Sequence, residues 1–230
     1  MSSSKPLKSF VKSRFPRAAA AYQDALQALI RPSLEKVFSE IYHTNAWQDP
    51  ESVSGRGSTL ARAKVIMSQL PSLLQELHAK TLLDAACGDF NWMRHTDLGA
   101  VNYVGVDVVP ELIRHNLRDY AGARRTFLVA DITKDRLPDT DTILCRDCLI
   151  HLSYKSIRAA FSNFTKTGAT HLLCTTHNTV LENIDCPDGS WRSVNLQLPP
   201  FNLPRPLKLI VEDTESGKSL GLWLLADLHK

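Results

Sequence analysis

No stretch of this 230-residue chain approaches the roughly 18 consecutive apolar residues that a membrane-spanning helix requires, and the first 23 residues hold no apolar block of signal-peptide type. A cytoplasmic location is the expectation. A disulfide framework is also missing, because the five cysteines, at positions 87, 145, 148, 174 and 186, form an odd set. Cys145-Arg146-Asp147-Cys148 has C-x-x-C spacing, but the second ligand pair that a structural zinc site wants is absent. No metal centre is expected, and these thiols read as small buried hydrophobes at a strand end. Charge of one sign is lacking too. With 27 basic and 24 acidic residues the net charge is only +3, so nucleic acid is not an expected partner. Internal repeats and low-complexity segments are absent.

What is present is enough apolar material, 43% of residues, for one large domain. Residues 1–79 read as an N-terminal arm and helical cap, and 80–230 as the core of one compact domain. Lys5, Lys8, Lys12, Arg14 and Arg17 all precede the first acid, Asp24. Such an arm is a solvated terminus, a transit peptide or a peripheral membrane contact. The sequence sets no oligomeric state.

Residues 18–44 carry Leu26, Leu29, Ile30, Leu34, Val37, Phe38 and Ile41 at helical spacings, with Pro32 dividing two helices. A polar loop, Asn45 to Ser58, and a helix from about Thr59 to Leu77, interrupted or restarted near Pro71, follow. From Thr81 short apolar runs alternate with helical segments, the pattern of βαβ units on a parallel sheet. Strands are expected at 81–86, 102–107, 126–130, 141–146 and 170–176, and helices at Pro110–Tyr120 and Ser153–Lys166. Residues 178–206, with Pro187, Pro199, Pro200, Pro204 and Pro206, form a long loop of the kind that usually has a function. Leu207–Glu212 and Leu220–Leu228, joined by Thr214-Glu215-Ser216-Gly217, read as an antiparallel hairpin at the sheet edge. The expected fold is an α/β, Rossmann-like, seven-stranded and mostly parallel sheet with an antiparallel C-terminal hairpin and an N-terminal helical cap.

Three acids end the first three strands: Asp84 in Leu82-Leu83-Asp84-Ala85-Ala86-Cys87-Gly88, Asp107 in Tyr103-Val104-Gly105-Val106-Asp107, and Asp131 after Phe127-Leu128-Val129-Ala130. In an open parallel sheet ligands sit beyond the carboxyl ends of the strands, so the three acids share a crevice. Asp107 lies 19 residues after Gly88, the spacing of an acid that accepts both ribose hydroxyl protons. Two glycines of the dinucleotide fingerprint are absent, which disfavours nicotinamide and flavin.

These residues resemble the class I S-adenosylmethionine-dependent methyltransferases over about residues 80–228. A further likeness, to a bacterial branch, reaches back through Tyr42, Asn45-Ala46-Trp47 and Ser54-Gly55-Arg56-Gly57-Ser58. Where the family has an acid and then alternate glycines, this chain has Asp84, Ala86, Gly88 and Phe90. The resemblance implies S-adenosyl-L-methionine as cofactor. It places Asp107 with Val108 at the ribose, Asp131 with Ile132 at the adenine, and Asp84, Ala86 and Gly88 along the methionine moiety. The fourth strand end, from Cys145, would face the transferable methyl group. Trp47, Ser54 and Gly55 either close over the cofactor or pin the N-terminal helices.

Methyl transfer is an in-line displacement that needs a base only when the nucleophile keeps its proton. His151 is the candidate base, or else it packs the turn before a helix. Asp147 orients His151 or caps its segment, and Arg146 fixes an anionic group or pairs with Asp147. His177, Trp191, Arg192, Asn195 and Arg205 suit a polar, ring-containing substrate, or cover the sheet edge. The leading expectation is O-methylation of a small-molecule or glycan-like acceptor. The substitutions at Ala86 and Phe90 leave a non-catalytic cofactor-binding module as an alternative, and the basic arm leaves an RNA or protein methyltransferase.

Overall fold

The computed structural model describes residues 32–229. The basic arm and the helical pattern before residue 32 lie outside the described residues. Within them the cap is two helices, α1 (Leu34–Thr44) and α2 (Leu60–Glu76). Ser33 opens α1 by accepting the Lys36 amide at 3.2 Å, and Thr59 opens α2 by accepting the Arg62 amide at 3.4 Å. The break expected near Pro71 does not occur. Pro71 sits inside an unbroken α2 whose Ala63, Ile66, Leu70, Leu73 and Leu74 are buried, so tertiary packing outweighs the one helical hydrogen bond that proline removes.

The core alternates as the apolar pattern predicts: β1 (Thr81–Ala85), β2 (Asn102–Asp107), α3 (Pro110–Tyr120), β3 (Arg125–Val129), β4 (Thr142–Cys145), α4 (Tyr154–Phe164), β5 (His171–His177), β6 (Lys208–Asp213) and β7 (Lys218–Leu224). The seven strands are ordered β3-β2-β1-β4-β5-β7-β6. β1 to β5 pair in parallel, while β7 runs antiparallel to both β5 and β6. The expected fold class, including the C-terminal hairpin, is what the chain adopts. The last strand ends earlier than expected, at Leu224, and a 3-10 turn takes residues Leu225–His229.

Adjacent strand residues point to opposite faces, so paired leucines and isoleucines fill two cores. Leu83, Ile143 and Leu172 pack under Ile157, Phe161 and Phe164 of α4. Leu82, Leu144 and Leu173 pack under α2 and α3. The strand order reverses at β1, with β2 on one side and β4 on the other. Ligand crevices form at such a switch point, and Asp84 lies in it, paired in register with Gly105 and Leu144.

Candidate cofactor and acceptor site

A cleft of about 960 Å³ opens over the carboxyl ends of β1, β2 and β4. Its floor brings together Asp84, Ala86, Gly88, Asp107, Val108, Asp131 and Ile132, seven positions that the sequence pattern singles out. Leu34, Phe38, Ile41 and Tyr42 of α1 form its roof, with Trp47 and Ser54 beside them.

The turn after β1 is built by backbone geometry. Gly88 takes φ +55° and donates its amide to Asp107 Oδ2 at 3.2 Å, while Asp107 Oδ1 accepts the Val109 amide at 3.0 Å. Backbone amides thus fix the Asp107 carboxylate where it lines the cleft. A β-carbon on Gly88 would overlap the Ser54 hydroxyl, which accepts the Asp89 amide at 2.8 Å. The Asn45–Ser58 segment therefore closes directly onto this turn. Phe90 stands where the family has a third glycine, and it keeps a glycine-like φ of +59°. Its ring turns away from the cleft, 5.0 Å from Tyr103 and 5.1 Å from Phe127 between centroids.

Electrostatics fit a cationic cofactor. Asp84, Asp107, Asp131 and Asp147 line the cleft against a single guanidinium, that of Arg146. Asp84 is buried and accepts the Tyr103 hydroxyl on Oδ2 at 2.7 Å, and burial pushes its carboxyl up to about 7. Burial also raises Asp107. A buried acid short of counter-charge is the complement of a sulfonium and an ammonium, and a poor host for a pyrophosphate. Asp131 is partly engaged locally, its Oδ1 accepting the Thr133 amide at 2.9 Å and its Oδ2 facing Lys134 at 3.4 Å.

A second cleft of about 1020 Å³ adjoins the first and shares Trp47, Ser54, Asp147 and His151 with it. His177 and Trp191 line this second cleft, as does Gly55, which the sequence assigned to the cofactor. His151 lies at the junction. Its Nδ1 is 2.9 Å from the Ser190 carbonyl oxygen, and its ring lies 4.9 Å from that of Trp47. A carbonyl only accepts, so the proton sits on Nδ1 and Nε2 carries the lone pair. Burial lowers the His151 pKa, which keeps the ring neutral.

Several candidates serve the frame instead. Asp147 does not hydrogen-bond His151; it is fastened by Lys218 Nζ at 2.5 Å, Arg146 Nη1 at 3.3 Å and the Thr175 hydroxyl at 3.3 Å, and these cations hold its carboxyl near 2. Arg146 is buried and donates to Glu212 at 2.9 Å and to the Gly57 carbonyl at 2.8 Å, with Trp92 against its face. Arg192 donates to the Leu149 carbonyl at 2.8 Å and also to that of Leu152, tying the 178–206 strap to the turn that carries His151. Asn195 donates to the Val180 carbonyl at 3.1 Å within the strap, and Arg205 is exposed and lines neither cleft. Cys145 is buried in the core rather than in the cleft wall, whereas Cys148 lines the cleft.

Sequence reasoning passed over Asn116, Glu212 and Lys218. Asn116 is buried on α3 and donates to the Gly88 carbonyl at 2.8 Å. Its signal was an amide on the same helical face as Leu112 and Ile113. Glu212 and Lys218 lie on β6 and β7, and only the hairpin pairing brings them to Arg146 and Asp147.

Residues 82–168 match the family model described as methyltransferase domain. No curated protein sequence matches the chain. Among solved structures, the magnesium protoporphyrin IX methyltransferase of Synechocystis PCC 6803 with bound S-adenosylmethionine aligns at 12% identity and a TM-score of 0.57, over 84% of this chain and 97% of that one. Human N-acetylserotonin methyltransferase, in complex with the same molecule, aligns at 13% identity and a TM-score of 0.56, over 92% of this chain and 68% of that one. The match to the domain model falls on the segment that forms the acidic cleft, and the two solved structures share the fold of this chain.

Proposed function

We propose that the chain methylates a hydroxyl of a small-molecule or glycan-like acceptor bound in the second cleft. The observation that carries this reading is His151, whose unprotonated Nε2 stands where the two clefts meet. In the cofactor cleft, Asp107 would accept the ribose hydroxyls, Asp131 and Ile132 would hold the adenine, and Asp84 would take the ammonium of the methionine moiety. S-adenosyl-L-methionine, when bound, supplies a methyl group on a sulfonium. His151 would take the proton of the acceptor hydroxyl on Nε2, and the Ser190 carbonyl would hold the resulting imidazolium through Nδ1. The roof of α1 and the Trp47 ring keep water from the junction.

The N-terminal likeness to the bacterial branch, and the division into a cap over 1–79 and a core over 80–230, belong to the same proposal. So does a cytoplasmic location, which the five unpaired cysteines favour. Among the described residues no helix is long and apolar enough to cross a membrane. Membrane contact through the basic arm, outside those residues, stays part of the proposal.

The test is release of S-adenosylhomocysteine on incubation with a panel of hydroxylated and aminated rings. Turnover of hydroxyl compounds, lost in His151→Gln while S-adenosylhomocysteine still binds, is expected. Turnover of amines alone, unaffected by His151→Gln, would overturn the reading.

A further inference from the structure

One cation of the second cleft is left without a partner among the described residues. Arg62 pairs with Asp213 at 3.1 Å, and Lys218 is shared between Asp147 at 2.5 Å and Glu212 at 3.3 Å. Arg146 completes that second group, so its two cations meet two carboxylates. Arg56 remains. It is exposed on the 3-10 turn Arg56–Ser58, lines the cleft, and has no hydrogen bond or ion pair from its guanidinium among the described residues. Of the three cations that line the cleft, Arg56, Arg62 and Lys218, Arg56 is thus the one whose charge meets no carboxylate among the described residues.

Two further features describe the rest of the occupant. Trp191 lines the same cleft with 64% of its surface exposed, a large apolar face that a ring would cover. His177, buried at the end of β5, accepts the Val194 amide on Nδ1 at 3.4 Å, so its hydrogen is on Nε2. The cleft therefore presents one imidazole that accepts, His151, and one that donates, His177. Neighbouring oxygens on a ring need such a pair: the reacting hydroxyl gives its proton to one, and the adjacent oxygen takes a hydrogen bond from the other.

We propose that the second cleft selects hydroxylated rings that bear an anionic group, with Arg56 holding the anion, Trp191 covering the ring and His177 donating to the oxygen beside the one that reacts. This rests on the reading of that cleft as the acceptor site. A guanidinium suits a carboxylate or phosphate because its planar donors meet two oxygens at once.

Two matched pairs of probes test it on the full chain saturated with S-adenosylhomocysteine: glucuronate against glucose, and 3,4-dihydroxybenzoate against catechol, with binding measured by calorimetry. The acid of at least one pair should bind about tenfold tighter than its neutral partner. Arg56→Gln should remove that gap while changing S-adenosylhomocysteine affinity less than about twofold, since Arg56 is outside the cofactor cleft. The pair that shows the gap separates a sugar acid from an aromatic acid. Equal binding of acid and neutral partner, or a gap that survives Arg56→Gln, would overturn the selectivity alone. Binding of none of the four probes to the loaded protein would overturn the acceptor reading of the cleft as well.

Discussion

His151 gives its Nδ1 proton to the Ser190 carbonyl at 2.9 Å, so a residue of the long C-terminal strap fixes the tautomer of a histidine on the turn before α4. Chemistry at the junction of the clefts therefore depends on the strap. The aspartate four residues away makes no hydrogen bond to the ring and acts on it through charge alone, because Asp147 is committed to Lys218, Arg146 and Thr175.

Turnover should consequently depend on pH through one group. Burial lowers the His151 pKa below its ordinary value of 6.5, so the base form prevails at neutral pH. The rate at saturating substrates should hold through neutrality and fall only below pH 6.5, as Nε2 becomes protonated. His151→Gln should lower kcat by about a hundredfold or more and flatten that limb. A pH profile of the wild type and the variant checks both.

Asp84 predicts a proton count. Its carboxyl, raised to about 7 by burial, is mostly protonated at pH 6, and a cationic ligand holds it ionised. Binding of S-adenosylmethionine at pH 6 should therefore release about one proton. Calorimetry in buffers of different ionisation enthalpy measures this, and Asp84→Asn should abolish the release. The same shift bears on stability. The folded state binds this proton more tightly than the unfolded chain does, so the contribution is complete below pH 3.8 and is lost as pH rises toward 7.

Phe90 tests whether the missing glycine matters. Its φ of +59° costs about 1 to 2 kcal/mol for a residue with a side chain, but its buried ring packs on Tyr103, Tyr120 and Phe127. Removing a buried phenylalanine ring costs about 3 to 5 kcal/mol. Phe90→Gly should therefore lose about 1 to 4 kcal/mol net in urea unfolding, with cofactor affinity nearly unchanged because the ring lies outside the cleft. Loss of affinity in a folded Phe90→Gly protein would contradict this.

The buried cluster of Arg146, Asp147, Glu212 and Lys218 makes a separate stability prediction. Lys218→Met leaves Arg146 to face two carboxylates buried to 14% and 1% side-chain exposure. Breaking such a pair costs about 3 to 5 kcal/mol, so a marked fall in Tm is expected.

Much of this was legible in the chain, for physical reasons. Strands β1, β4 and β5 are buried on both faces and read as apolar runs, the edge strand β3 reads so although only Phe127 is buried, and each of the first three hands its terminal acid to the crevice: Asp84, Asp107 and Asp131 line one cleft. Pro71 misled, because local propensity yields to the buried face of α2. The roles of Arg192 and Asn195 were hidden, since the strap has no periodicity and its side chains bond backbone carbonyls distant in sequence. Arg146 beside Asp147 suggested a local pair, whereas Glu212, 66 residues away, takes its Nε at 2.9 Å. Only the β6–β7 hairpin reveals that.

The central claim is that the strand-end acids hold S-adenosylmethionine, and titration of S-adenosylhomocysteine into the wild type and Asp107→Ala tests it most directly. Asp107 is fixed by backbone amides, Gly88 and Val109 among them, and lines the cleft. The wild type should bind saturably, and Asp107→Ala, if still folded by circular dichroism, should bind at least about tenfold more weakly. No binding to the wild type, or equal affinity in a folded Asp107→Ala protein, would contradict the account.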